Sequence, residues 1–143
     1  MYRKELYLIP FTLIILIVFS GCVTTLQGYQ PKGPEEIKIR ELLLKFENTL
    51  NSRDVPGYLA LWNDKAQIMY GKDRQIASKK EYTQILPERM KGAQKVKVGA
   101  PDIKVSGNKA EVSFVLSLGD FQRVTTYYLI KENDLWSIMG NKY

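Results

Sequence analysis

Apolar residues recur along this chain in three patterns, and each predicts a different kind of structure. From Leu8 to Phe19 the run is almost wholly apolar, with Arg3 and Lys4 ahead of it. From Glu35 the spacing becomes helical. Ile39, Leu43, Phe46 and Leu50 fall on one stripe and predict a helix over Glu35–Asn51, with Glu35 and Glu36 in the first turn, where the helix dipole favours negative charge. Asp54 is placed to cap a second, short helix carrying Pro56, Tyr58, Leu59, Leu61 and Trp62, which Asn63-Asp64 should stop. Ala66–Tyr70 alternates like a short strand, and Gly71–Ala77 reads as a polar loop. Ser78 and Glu81 form a capping-box pair that opens a third helix with Tyr82, Ile85 and Leu86, expected to break or kink near Pro87.

Beyond Lys95 the period drops to two. Strands are predicted over Lys95–Val98, Asp102–Val105, Lys109–Leu118, Phe121–Lys131 and Leu135–Gly140. Gly119-Asp120 between the two longest suits a two-residue hairpin loop with glycine first. That loop sets a register: Leu118 faces Phe121, Leu116 faces Arg123, Phe114 faces Thr125, Val112 faces Tyr127 and Ala110 faces Leu129. The opposite face carries Val115, Val124, Tyr128 and Ile130, a second apolar set that helices on the first face cannot cover. The length of the turn at Glu132–Asp134 leaves the face of Trp136 open, because a one-residue change flips it.

The first apolar run is short for a membrane span, which needs about 20 residues, and it ends in Ser20-Gly21-Cys22. A basic start, an apolar core and small residues at the exit describe a signal peptide over residues 1–21. The Ser-Gly-Cys ending resembles the lipobox of bacterial lipoproteins. That resemblance implies cleavage before Cys22 and a lipid on that residue. The expected location is then the bacterial cell envelope, on the outer or the cytoplasmic membrane, with the domain facing away from the cytoplasm. Residues 22–34 are expected to be the lipidated cysteine and a tether that acts only as a spacer, and residues 35–143 a single domain.

Composition narrows the chemistry. The 143 residues hold 21 Lys and Arg against 15 Asp and Glu, a formal net charge of +6, with one cysteine and no histidine. Disulfides are excluded within the chain. Ser-His-Asp and Cys-His catalysis are excluded too, and the usual soft ligands of zinc and iron–sulfur centres are missing. No metal or cofactor is expected. Lys91, Lys95 and Lys97 lack the interleaved aromatics of a nucleic-acid site and suit a guarded strand edge, so no nucleic-acid partner is expected.

Three helices with one short strand among them, followed by a long antiparallel meander, resemble the NTF2-like (SnoaL-like) superfamily. So do the wording Asn51-Ser52-Arg53-Asp54 before helix two and the closing Leu135-Trp136-Ser137-Ile138. The resemblance covers Glu35–Tyr143 and implies an α+β cone: three N-terminal helices packed on a curved antiparallel sheet, with a cavity at the open end. In the ketosteroid isomerases of this superfamily, a general-base Asp follows the first strand and an oxyanion-binding Tyr sits on helix one. Here those positions fall near Tyr70 and Phe46, which supply neither base nor donor. The dehydratase members use a His–Asp pair, and this chain has no His.

What remains is an apolar and aromatic pocket. Trp62, Tyr70, Tyr82, Phe114, Arg123 and Tyr127 are its candidate lining, with Arg123 the one charged residue on an otherwise apolar face, suited to an anionic ligand group. The sequence thus points to a membrane-tethered, non-catalytic module that binds a small apolar or anionic ligand or a protein. An enzyme using Arg123 and pocket tyrosines, or a structural subunit of an envelope complex, are the alternatives. Val115, Val124, Tyr128 and Ile130 are expected to form a homodimer face.

Overall fold

The computed structural model describes residues 25–143, so Cys22 and the preceding signal-like segment lie outside the described residues. Ten elements follow in chain order: α1 (Pro34–Ser52), α2 (Val55–Ala60), β1 (Trp62–Tyr70), β2 (Gln75–Ser78), α3 (Lys79–Lys91), β3 (Val96–Val98), β4 (Asp102–Ser106), β5 (Lys109–Leu118), β6 (Phe121–Glu132) and β7 (Leu135–Lys142). The strands form one sheet in the order β2-β1-β7-β6-β5-β3, with β4 also pairing with β5. The three helices cover its inner face, giving the expected α+β cone. No helix among the described residues is long and apolar enough to cross a membrane.

Local chemistry explains the helix boundaries. Pro34 and two glutamates open α1, and Arg53 closes it in the left-handed region at φ 59°. The Asp54 carboxylate accepts from the Gly57 amide at 3.0 Å and caps α2. Ser78 and Glu81 exchange the reciprocal hydrogen bonds of a capping box at the start of α3. Pro87 neither ends nor interrupts α3. Leu86 and Met90, buried on either side of it, hold the helix on the sheet despite the lost backbone rung.

The register predicted for β5 and β6 is observed pair for pair, from Leu118↔Phe121 to Ala110↔Leu129. Gly119 takes φ +59°, as the first residue of a type II′ turn must. The β6–β7 turn is two residues long. Asn133 and Asp134 both have positive φ, the type I′ pattern, so Glu132 pairs with Leu135 and Lys131 with Trp136. Trp136 is consequently buried, and its indole N–H donates to Glu35 at 2.7 Å.

The first strands and the sheet's pairing also depart from expectation. The second helix ends at Ala60, and the next strand begins four residues early, at Trp62. Asn63 and Asp64 lie within that strand. The polar stretch after Tyr70 is a hairpin: Gly71 and Arg74 take positive φ, which turns β2 back onto β1. The sheet is mixed, not wholly antiparallel, because β1 and β7 run parallel. Their pairing is irregular, and the Asn141 side chain replaces missing rungs by bonding both the amide and the carbonyl of Met69, at 2.9 and 3.0 Å.

The edge formed by β3 is closed by α1. Asn51 donates to the Val96 carbonyl at 2.9 Å and accepts from its amide at 2.7 Å, while Glu47 accepts from the Val98 amide at 2.7 Å. The remaining groups there meet the N-terminal segment, which is not the bare spacer expected. Thr25 bridges Gly99, the Leu26 amide donates to the Val98 carbonyl at 3.3 Å, and the Leu26 side chain is fully buried. Arg40 donates to the carbonyls of Leu26 and Gln27 at 3.2 and 2.9 Å, and Glu36 accepts from the Tyr29 hydroxyl at 2.6 Å. A single apolar residue supplied with a pocket and backbone partners anchors this strap to the domain.

Candidate functional site

The inner row of β6 contributes Arg123, Thr125, Tyr127 and Leu129, and the sheet curves that row around the helices. Tyr127 is the hub of an aromatic nucleus. Its ring centre lies 5.2 Å from Phe46, 5.2 Å from Phe114 and 5.7 Å from Trp62, in edge-to-face arrangements. Tyr58 completes the group against Phe46 and Trp62. All five are buried. Trp62, Phe114 and Tyr127, expected around the mouth of a cavity, are therefore packed on one another in the interior of the cone. The physical reason is that helix α1 presents Phe46 directly to them, filling the space a ligand would need.

Toward the other end of the same row the packing loosens and charge enters. Arg123 is half-buried, and its guanidinium lies 3.6 Å from the ring centre of Tyr143. The Tyr143 hydroxyl donates to the Gly71 carbonyl at 2.7 Å, tying the C-terminal residue to the β1–β2 turn. Beside the β1–β2 turn, Tyr70 at the end of β1 sits 5.5 Å from Tyr82 on α3, and Arg89 on α3 lies 5.4 Å from the centre of the Tyr70 ring. Of the predicted lining, Tyr70, Tyr82 and Arg123 thus gather at this rim.

Arg89 and Tyr143 were not anticipated. Arg89 follows Tyr82 by seven residues on α3, two turns along the same face, and that spacing is a readable signal. Nothing in the sequence places Tyr143 over Arg123, because that contact depends on where the parallel β1–β7 pairing leaves the C-terminus.

The electrostatics of the rim are one-sided. Among the described residues, the ion pairs use Lys38, Lys79, Lys91, Lys104 and Lys131, so neither Arg89 nor Arg123 is paired with a carboxylate. The Arg123 Nε–H is buried without a hydrogen-bond partner, as are the Trp62 indole N–H and the Thr125 hydroxyl. Burial pushes the Tyr58 and Tyr127 phenols well above their ordinary value. It raises Tyr82 too, although Arg89 acts in the opposite direction. These phenols stay protonated at neutral pH and are not bases there. No cluster of three His, Cys, Asp or Glu side chains occurs among the described residues.

The outer sheet face is less continuous than its sequence pattern. Val115 and Val124 pair across the strands and are 40% and 66% exposed, whereas Tyr128 and Ile130 are half-buried. A polar rung, Ser113 against Thr126 at 2.9 Å, separates the two pairs, and the Lys142 ammonium lies over the Tyr128 ring.

No protein-family model and no curated protein matches the chain. Solved structures do. The chain is similar to an NTF2-like protein of unknown function from Pseudomonas putida KT2440, at 18% identity and TM-score 0.65, over 75% of this chain and 83% of that one. It is similar to an NTF2-like protein of unknown function from Shewanella oneidensis MR-1, at 18% identity and TM-score 0.65, over 76% and 97%. It also resembles a protein of unknown function with a cystatin-like fold from Nostoc punctiforme PCC 73102, at 20% identity and TM-score 0.64, over 74% and 86%. With its helices packed on a curved mixed sheet, this chain has the NTF2-like fold.

Proposed function

We propose that this protein is a non-catalytic binding module, tethered to the bacterial envelope through Cys22, that takes a small ligand bearing an anionic group at the Arg89–Arg123 rim. The observation that carries the reading is the pair of arginines left without carboxylate partners, with the buried Nε–H of Arg123 unsatisfied. A guanidinium lying over an aromatic ring keeps its N–H edge for a carboxylate or phosphate. Tyr70, Tyr82 and Tyr143 supply flat apolar surface beside it. Base catalysis by Tyr82 is disfavoured, because burial holds its phenol protonated, and no histidine is present to act as base.

The test compares octanoate with octanol by calorimetric titration of the mature protein. Octanoate should bind more tightly. Arg123→Gln should weaken it about 10- to 100-fold, the loss of one charge-assisted hydrogen bond, while folding stability changes by no more than about 0.5 kcal/mol. Equal affinity for acid and alcohol, or an Arg123→Gln protein that binds octanoate unchanged, would reject the reading.

A further inference from the structure

The docked N-terminal strap fixes where any membrane anchor must emerge. Thr25 is held against Gly99, and the Gly99 amide donates to the Val115 carbonyl at 2.9 Å. Three peptide steps separate Thr25 from Cys22, a reach of about 11 Å at most. A lipid on Cys22 therefore enters its bilayer beside Val115, not at the end of a long spacer.

We infer that the outer face of the β3–β5–β6 sheet around Val115 and Val124 rests on an anionic lipid surface. This rests on the proposed lipidation of Cys22. Val115 and Val124 pair directly and are the exposed apolar residues of this face nearest the strap. One rung nearer the hairpin tip, Lys97, Ser117 and Gln122 align on the same face. The strap, Lys97, Gly99, Val115 and Gln122 border a groove of about 580 Å³. Farther along, Lys104, Lys109 and Lys142 stand among Asp102, Glu111 and Glu132 in the outward register, so that with Lys97 the face holds four lysines and three carboxylates. Apolar side chains ringed by polar and basic ones suit a headgroup layer, where lysines meet anionic lipid.

A second copy of the chain is the competing occupant. A stable interface buries roughly 800 Å² on each partner, with an apolar centre. Two valines bounded by the Ser113–Thr126 and Ser117–Gln122 rungs offer too little apolar area for that. A bilayer needs far less, because the anchor makes the contact intramolecular and holds the face at high effective concentration. Hence the surface expected to form a homodimer is assigned to the membrane.

The experiment uses the full-length lipoprotein, reconstituted into vesicles containing phosphatidylglycerol and, separately, into vesicles of phosphatidylcholine alone. Val124→Cys and, on the opposite layer, Lys80→Cys each carry an environment-sensitive fluorophore; both positions are exposed, so neither change burdens the fold. The label at position 124 should shift to the blue, be quenched by nitroxide-bearing lipid and be severalfold protected from aqueous iodide, more so with phosphatidylglycerol. The label at position 80 should stay accessible. Mass spectrometry of the same samples reports on Cys22. Lipidated Cys22 with a water-exposed label at 124 overturns this inference alone. An unmodified Cys22 thiol overturns the anchorage reading and this inference with it. Oxidation of the unlabelled Val124→Cys protein to a disulfide between copies, with the blue shift of the labelled protein persisting in lipid-free detergent, assigns the face to self-association and overturns the membrane assignment.

Discussion

One strand, β6, crosses two unlike environments on its inner face. At Tyr127 the side chains meet edge to face, all buried, with no charged group among them. Two alternations away, at Arg123, the neighbours are a stacked tyrosine, a half-buried guanidinium and an orphaned N–H. The first region is where area removed from water stabilises the fold. The second is where polar groups lack internal partners, and native proteins retain such groups chiefly where something outside the fold supplies the partner. Stability should reside at the nucleus and recognition at the rim.

The largest effect should come from emptying the nucleus. Phe46→Ala removes a ring that touches Tyr58, Phe114 and Tyr127. It should cost about 3–5 kcal/mol, read from the denaturant midpoint at unchanged slope. A loss no larger than that of Arg123→Gln would erase the distinction between the two regions. A smaller effect is expected where α1 meets the sheet edge. Asn51→Ala leaves the Val96 amide and carbonyl without partners and should cost about 1–3 kcal/mol. Asn51→Asp, which keeps only the acceptor, should fall between Asn51→Ala and wild type at neutral pH. The smallest effect sharpens the contrast by probing a polar link remote from both regions. Hydrogen bonds from Lys131 and Trp136 hold the Glu35 carboxyl below its ordinary value. A folded value below the unfolded one means that the stabilisation is complete at neutral pH and disappears as pH falls through the folded value. The difference in urea midpoint between wild type and Glu35→Gln should therefore be measurable at pH 7 and vanish at strongly acid pH, below the ordinary glutamate value of about 4.3.

The legible parts of this fold were those that local chemistry decides. Gly119-Asp120 fixed ten cross-strand pairs because a two-residue loop permits one register. Asp54 and Ser78 marked their helix starts because a capping oxygen acts within three residues. The β2 strand escaped notice because Lys72, Asp73 and Arg74 make a polar turn whose flanks are too short to show alternation. Leu26 escaped because a lone apolar residue among Thr, Gln and Gly carries no period, and its pocket is built by residues far along the chain. At the rim, Arg123 was visible as a charge on an apolar row. Its partner Tyr143 was not, since parallel pairing across the whole domain sets that contact. Phe114 and Tyr127 share the face that the hairpin register gave them, and Trp62, expected on the second helix, opens β1 instead, but sequence periodicity reports which face is covered and not whether the cover leaves room.

The side chains of α1 at the β3 edge have one more consequence. A strand edge with free amides and carbonyls is a template onto which another chain can crystallise, one rung at a time. Here Asn51 and Glu47 act as a decoy strand, offering the edge its bonds without presenting a new edge of their own. Sheet growth on that side is confined to the five residues of β4, where Asp102 and Lys104 alternate with shorter neighbours and interrupt any apolar run. The exposed valines, with Val124 66% in the open, lie on a face, where strands do not add, while the β3 edge, where they would, is already taken.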